Sequence, residues 1–245
     1  MVIAIWGRDG VGKSTLSDAL GILCAKNKVT AVIDTDLTQP TLPARIIGTA
    51  FDKETSLGKA ISGVGSYDTA AFLHQHPKNK NLFYAGLTDR DEYMSYEIGL
   101  EADVYAQDFI HSCVGLADTV ILDISGQRTD PFIPAALINA DVLLLPVTPD
   151  VQGVCWFNAV KPLIEGMNVQ GRVLPIAAMA DRHHDMSAIE KAADLKFSAS
   201  LPFVNEFRLT RDTGAIPLDG TTPAAFRYMV QVQKLYSVLR GDDKA

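Results

Sequence analysis

Met1-Val2-Ile3-Ala4-Ile5-Trp6-Gly7-Arg8-Asp9-Gly10-Val11-Gly12-Lys13-Ser14-Thr15 is the stretch that decides the fold. Its first six residues form an apolar run, and Gly7 to Thr15 fits G-x-x-x-x-G-K-[ST] at every fixed position. Glycines in this pattern let the backbone curl so that successive N–H groups point inward at an anion. The helix that follows presents its positive N-terminal end to the same anion. That helix is predicted over Ser14–Lys26, where Leu16, Ala19, Leu20, Leu23 and Cys24 recur at helical spacing. A glycine-rich turn before Lys-Ser can be a plain strand-to-helix connection. Here an apolar strand precedes it and an amphipathic helix follows it, which makes it a P-loop. The sequence therefore predicts that Gly10, Val11, Gly12, Lys13, Ser14 and Thr15 bind the phosphates of a nucleoside triphosphate. Lys13 reaches the β- and γ-phosphates, and the Ser14 hydroxyl ligates Mg²⁺.

Working outward, apolar runs bounded by turn residues occur at Val2–Trp6, Val29–Ile33, Asn81–Ala85, Thr119–Leu122, Val142–Val147 and Val173–Ala178. Helical patterns lie between them at Leu100–Gly115, Thr129–Asn139, Val151–Gly166 and Met186–Leu195, and a last one covers Pro223–Arg240. Near-continuous apolar strands separated by amphipathic helices predict an α/β fold, a doubly wound and mostly parallel sheet with helices on both faces. With one P-loop and steady alternation, residues 1–245 read as a single domain. From Thr49 to Lys80 the pattern is broken by Gly58, Gly63 and Gly65; short helices are expected at Leu57–Ile61 and Tyr67–Gln75, and Gly63-Val64-Gly65 reads as a turn.

A formal net charge of −7 and a pI near 5.2 argue against a broadly cationic nucleic-acid surface. There is no apolar run of bilayer length and no charged leader with a cleavage site, so a cytoplasmic protein without a transmembrane segment is expected. Cys24, Cys113 and Cys155 are odd in number, far apart and set among apolar residues, which predicts buried reduced thiols.

Two strands end in carboxylates. Val29–Ile33 runs into Asp34-Thr35-Asp36, and Thr119–Leu122 into Asp123-Ile124-Ser125-Gly126. In a parallel sheet these ends lie beside the P-loop, where Asp36 and Asp123 could join Ser14 around Mg²⁺. One such Asp could simply cap a helix or open a turn; the number of them at strand ends beside a P-loop favours the site.

These motifs together resemble the MinD/ParA family of ATPases. The family's K-G-G-x-G-K-[ST] loop, the D-x-D after its second strand and the D-x-x-x-G of its switch II have as counterparts Arg8-Asp9-Gly10-Val11-Gly12-Lys13-Ser14, Asp34-Thr35-Asp36 and, one residue shorter, Asp123-Ile124-Ser125-Gly126. Asn139-Ala140-Asp141 with Leu143–Pro146, Leu201-Pro202-Phe203 and Gly214-Ala215-Ile216-Pro217 are looser matches further on. The resemblance implies an ATP-dependent homodimer with two nucleotides between protomers. It makes Asp36 the residue that orients the attacking water and Asp123 a support for Mg²⁺, with Asp34 behind them. Arg8 takes the place of the family's signature lysine, either as a trans arginine finger or as a solvent-facing residue. Asp9 stands where the family has glycine, and a carboxylate beside phosphates implies slow or suppressed hydrolysis. At the base end the resemblance points to Arg182, with Asp181, and to Pro202. The chemistry of Asp181 would suit guanine as well as adenine, and ATP follows from the resemblance alone. His183-His184 reads as a solvated pair.

Family members position division or pilus machinery, partition DNA, insert metals or transfer electrons. The last two use paired cysteines, which are missing here. Arg208, Arg211, Arg227, Lys234 and Arg240 could form a small basic surface for DNA, and solvation explains them equally well. Pro223–Arg240 closes on Gly241-Asp242-Asp243-Lys244, which fits a packed final helix better than a membrane anchor. The resemblance implies a dimer switch that recruits a protein partner, with Asp36–Leu42 closest to the pilus or secretion-localisation branch. The alternative is a metabolic enzyme of the dethiobiotin synthetase or amidoligase type, using ATP and a small carboxylic acid.

Overall fold

The first strand, β1 (Val2–Ile5), is buried along its whole length. Its side chains alternate between two cores: Val2, Ala4 and Trp6 join one, Ile3 and Ile5 the other. This period of two places helices on both faces of the sheet. The computed structural model describes residues 1–63, 68–92, 96–207 and 222–241.

After β1 come α1 (Lys13–Cys24), β2 (Thr30–Asp34), α2 (Leu42–Arg45), α3 (Leu57–Ile61), β3 (His74–His76), β4 (Asn79–Ala85) and α4 (Ala102–Leu116). Then follow β5 (Thr119–Asp123), α5 (Phe132–Asn139), β6 (Val142–Val147), α6 (Val151–Gly166), β7 (Val173–Ala180), α7 (Met186–Ala193), β8 (Ala199–Pro202) and α8 (Pro223–Arg240). Among the described residues the strands join one eight-stranded sheet in the order β3-β4-β2-β5-β1-β6-β7-β8. Every pairing is parallel except β3 with β4. One core packs α1 and α8 against the sheet through Leu16, Leu20, Tyr228 and Val232. The other packs α4, α5 and α6 through Phe109, Phe132 and Phe157.

The order has its switch point at β1. The chain leaves β1 toward β2 on one side, while β6 flanks it on the other, and the crevice above the carboxyl ends of β1, β5 and β6 is where ligands bind in such sheets. The anticipated doubly wound α/β sheet is what forms. No helix among the described residues is long and apolar enough to cross a membrane.

Two local expectations need correction. The helix expected over Tyr67–Gln75 is a 3-10 turn, Thr69–Phe72, that runs into β3; Tyr67 itself lies outside the described residues. Asp68 caps the turn by accepting from the Ala70 N–H at 3.0 Å, and Pro77 then opens a hairpin into β4, so pairing along the sheet edge overrides helical spacing. Cys155 is exposed, because α6 turns Phe157 and Ile164 inward and leaves Cys155 on its outer face; Cys24 and Cys113 are buried as expected. The strand β8 and the short helix α2 were not anticipated. Gly63 is in a turn at φ 70°, while Val64, Gly65 and the segment Gly214–Pro217 lie outside the described residues, as do Arg208, Arg211 and Asp242–Lys244.

Candidate functional site

The loop from β1 to α1 needs left-handed backbone at Gly10 (φ 77°) and Gly12 (φ 88°), which a side chain would strain. Gly12 is the N-cap of α1; no side chain caps the helix and its first turn holds no acidic residue. Its first N–H groups therefore lack side-chain partners and carry the helix's positive end into a cleft of about 490 Å³. The P-loop from Gly10 to Thr15 lines this cleft together with Asp34, Asp36, Asp123, Pro146 and Pro202.

Lys13 is buried, with 8% of its surface exposed. Its Nζ donates to the Arg8 carbonyl at 3.1 Å and to Asp9 Oδ1 at 3.3 Å. The same Asp9 oxygen accepts from the Gly126 N–H at 3.1 Å. A Cβ on Gly126 would collide with the Asp9 carboxylate, so the approach requires glycine.

Below the cleft floor lies a charge cluster that the sequence did not reveal. Arg45, at the end of α2, turns inward with only 6% of its side chain exposed. Its guanidinium donates to Asp18 Oδ1 at 3.0 Å and Ser17 Oγ at 3.3 Å, pairs with Asp34 Oδ2 at 3.1 Å, and bonds Asp123 Oδ2. The Tyr84 ring lies under it, 5.9 Å from the guanidinium carbon to the ring centroid. Ser17 Oγ donates to Asp123 Oδ2 at 3.2 Å. Burial pushes Asp18 up to about 6 and also raises Asp34, with Arg45 opposing both shifts. Burial works against the Arg45 charge as well, but the carboxylates outweigh it and hold its pKa well above the usual value.

The loops beyond β2 and β5 are tied to each other. Asp36 Oδ1 accepts from the Thr38 N–H at 2.9 Å and from Thr38 Oγ1 at 2.5 Å, and Thr38 Oγ1 accepts from Gln127 Nε2 at 3.0 Å. Deeper in, Asp130 accepts from Thr35 Oγ1 at 2.5 Å and from the N–H groups of Ser125 at 3.2 Å and Phe132 at 2.8 Å. Burial raises Asp130 to about 6 despite these donors. Its importance shows only in three dimensions.

Arg8 leans sideways onto its own chain. Its Nη2 donates to Thr148 Oγ1 at 3.2 Å and lies 3.8 Å from Asp150 Oδ2, next to the N-terminus of α6. At the other end of the cleft Met179 adopts a left-handed φ of 55° and, with Pro202, Phe203 and Tyr228, makes an apolar wall. Arg182 is not part of that wall; it sits on the exposed turn after β7, its Nε on His183 Nε2 at 3.3 Å. The His183 N–H is bonded to Asp181 Oδ1 at 2.7 Å, and His184 Nδ1 lies 3.3 Å from the same oxygen, a local turn network. The structure thus gathers the P-loop, Asp36, Asp123 and Pro202 around one cleft, and leaves Arg8 at its flank and Arg182 beyond its rim.

Among the described residues no three His, Cys, Asp or Glu side chains converge as a metal cage. The donor set still fits Mg²⁺, which takes few carboxylates and completes its shell with phosphate oxygens and water. Ser14 stands exposed at the first turn of α1, and Asp34, Asp18 and Asp123 outnumber the single Arg45 among them. That surplus of negative charge suits a second cation.

No protein-family model matches the sequence, and no curated protein is similar to it in sequence. Solved structures of MinD/ParA ATPases match over almost the whole chain. The septum site-determining protein MinD of Pyrococcus horikoshii OT3, in complex with Mg-ADP, superposes with a TM-score of 0.76 at 15% identity, covering 100% of this chain and 99% of its own. A ParA family ATPase of Chlorobium tepidum TLS gives 0.75 at 14%, covering 95% and 98%. A chain of the MinC:MinD cell division protein complex of Aquifex aeolicus gives 0.71 at 18%, covering 96% of each chain. At these identities the likeness shows the fold.

Proposed function

We propose that the chain is a Mg²⁺-dependent, slowly hydrolysing ATP switch of the MinD/ParA type, acting in the cytoplasm. In this proposal its nucleotide state governs homodimerisation and the recruitment of a protein partner. The observation that carries the proposal is the P-loop cleft itself: an uncapped helix end, a buried lysine and carboxylates from the ends of β2 and β5 all meet there. An electropositive end facing carboxylates suits a phosphate chain with a divalent cation, and little else.

Lys13 and the first-turn N–H groups of α1 hold the phosphates. The Ser14 hydroxyl and the carboxylates of Asp36 and Asp123 hold Mg²⁺, which when bound offsets the charge that develops on the phosphoryl oxygens. Asp36, at the mouth of the cleft, orients the attacking water. The wall of Met179, Pro202 and Phe203 takes the purine face, with Arg182 in reach only if the turn after β7 folds over it. Arg8 serves the partner protomer's phosphates once it leaves Thr148. The Mg-ADP bound by the neighbouring MinD and the MinC:MinD complex support the nucleotide and the partner in turn. DNA contact through Arg227 and Lys234 on α8 is a weaker form of the partner proposal, because the net charge of −7 opposes it. Among the described residues nothing in the cleft favours the small-acid ligase.

Calorimetry with Mg-ATP tests the site. Lys13→Ala should lose about 1.5–3 kcal/mol of binding, the value of a charge-assisted hydrogen bond. Unchanged affinity would remove Lys13 from the phosphate site.

A further inference from the structure

Two donors from separate elements converge on a single oxygen. The Lys13 Nζ, fixed on α1, and the Gly126 N–H, just past β5, lie 3.3 and 3.1 Å from Asp9 Oδ1. An ammonium group and a backbone N–H aimed at one point define an anion position, and in this chain the anion there is a carboxylate of the P-loop itself. We infer that Asp9 is an internal competitor for the terminal phosphate: its carboxylate holds the position a γ-phosphate must take, so a triphosphate binds only by displacing it. The inference rests on the proposed binding of nucleotide at this P-loop.

The geometry separates donor from competitor. The Lys13 side chain is 9% exposed and cannot withdraw, whereas the Asp9 side chain is 77% exposed and can rotate into water without leaving a buried charge behind. Asp9 cannot stay in place beside an incoming phosphate, since like charges would share one lysine. Gly126 also carries the consequence further. Its neighbour Gln127 donates to Thr38 Oγ1 at 3.0 Å, and Thr38 donates to Asp36, so a γ-phosphate that takes the Gly126 N–H from Asp9 meets both loops that carry Asp36 and Asp123. A diphosphate reaches Lys13 through its β-phosphate but ends one phosphate short of the Gly126 N–H, so it contests Asp9 at one donor where a triphosphate contests both. Asp9 therefore sets the preference between nucleoside diphosphate and triphosphate.

The test is calorimetry of the full chain with Mg-ADP and Mg-AMPPNP, comparing wild type with Asp9→Asn and Asp9→Gly. Asn keeps the shape and removes the charge; Gly removes the group and guards against an amide that still occupies the site. In both variants AMPPNP should bind about tenfold tighter or more than in wild type, the equivalent of one charge-assisted bond no longer contested. ADP should change less than about threefold on the same scale. Equal strengthening of both nucleotides, or none, overturns the competition while leaving the nucleotide site standing. Failure of all three proteins to bind either nucleotide overturns the site and the inference together.

Discussion

Replacing Arg45 by methionine should unfold much of this protein's stability at neutral pH and far less in acid. The guanidinium pairs with Asp18 at 3.0 Å and Asp34 at 3.1 Å and also bonds Asp123, with its side chain 6% exposed. At an effective dielectric near 20, one unit-charge pair about 4 Å apart is worth about 4 kcal/mol. Removing the arginine forfeits several such attractions and recovers the several kcal/mol it costs to bury that ion. The balance for breaking a buried pair is about 3–5 kcal/mol, because carboxylates are left without a counter-charge. Methionine fills a similar volume, so the loss is electrostatic rather than a cavity.

The pH dependence identifies the cause. Asp18 titrates at about 6 even with Arg45 present, raised by burial. Arg45 opposes the rise at Asp18 and Asp34, so without it both rise further. At pH 5 Asp18 and Asp34 then take up protons and the penalty shrinks; at pH 8 it is at its full size. Urea denaturation of wild type and Arg45→Met at both pH values measures it, with Arg45→Lys expected in between because it keeps the charge and loses the fork. A loss below about 1 kcal/mol at pH 8, under half of what a broken buried pair costs, would refute the reasoning. So would a loss equal at both pH values.

Asp36→Ala should keep ATP and lose turnover, while Asp123→Ala should weaken the Mg²⁺-dependent part of binding; single-turnover assays and Mg²⁺ titrations separate the two, and matching phenotypes would merge the roles. In light scattering, Asp36→Ala protein should dimerise with ATP and not with ADP, and adding Arg8→Ala should return it to monomer with ATP still bound; a dimer that survives means that Arg8 stays on Thr148. For Asp130, burial places the folded pKa at about 6, above the usual 3.8, so the folded state holds more protons between the two values and stability falls as pH rises through that window. The share of one such carboxylate is on the order of 2–3 kcal/mol; Asp130→Asn should make the slope between pH 4 and 6 less negative, and an unchanged slope would remove Asp130 from the account.

The P-loop was legible because its chemistry needs contiguous residues: glycines that curl the chain, a lysine and a hydroxyl at the start of a helix. Asp36 and Asp123 were legible because each follows an apolar run, and strand ends in a parallel sheet share one edge. Arg45 was not. Leu42-Pro43-Ala44-Arg45 has no period and no motif, and its meaning comes from Asp18, Asp34 and Asp123, which lie on three other elements. Asp130 was missed for a similar reason, since its partner Thr35 is 95 residues away in sequence. The edge strands were hidden by composition: His74-Gln75-His76 is polar, and Ala199–Pro202 ends in a residue that strands tolerate only at edges.

The cations around the cleft share one property. Lys13 is bonded to Asp9, Arg45 to Asp18, Asp34 and Asp123, and Arg8 to Thr148 with Asp150 close by. Nucleotide binding would then exchange partners rather than satisfy idle charges, and the net gain per contact is small compared with its gross strength. Each exchange also frees an anion that must go elsewhere. Asp9 goes to solvent at the cost of its bonds to Lys13 and the Gly126 N–H, but leaves no buried charge behind, because it is already at the surface; Asp150 remains satisfied by the Gly153 N–H at 2.7 Å and Thr148 Oγ1 at 2.9 Å. The carboxylates around Arg45 have no such outlet, since they are buried. Arg45 is therefore the fixed charge of the site, while under the proposed function Asp9 and Arg8 are the ones whose partners would change; a nucleotide-driven switch would need both kinds, a rigid base that keeps Asp34 and Asp123 aimed, and contacts at the rim weak enough for a phosphate to replace.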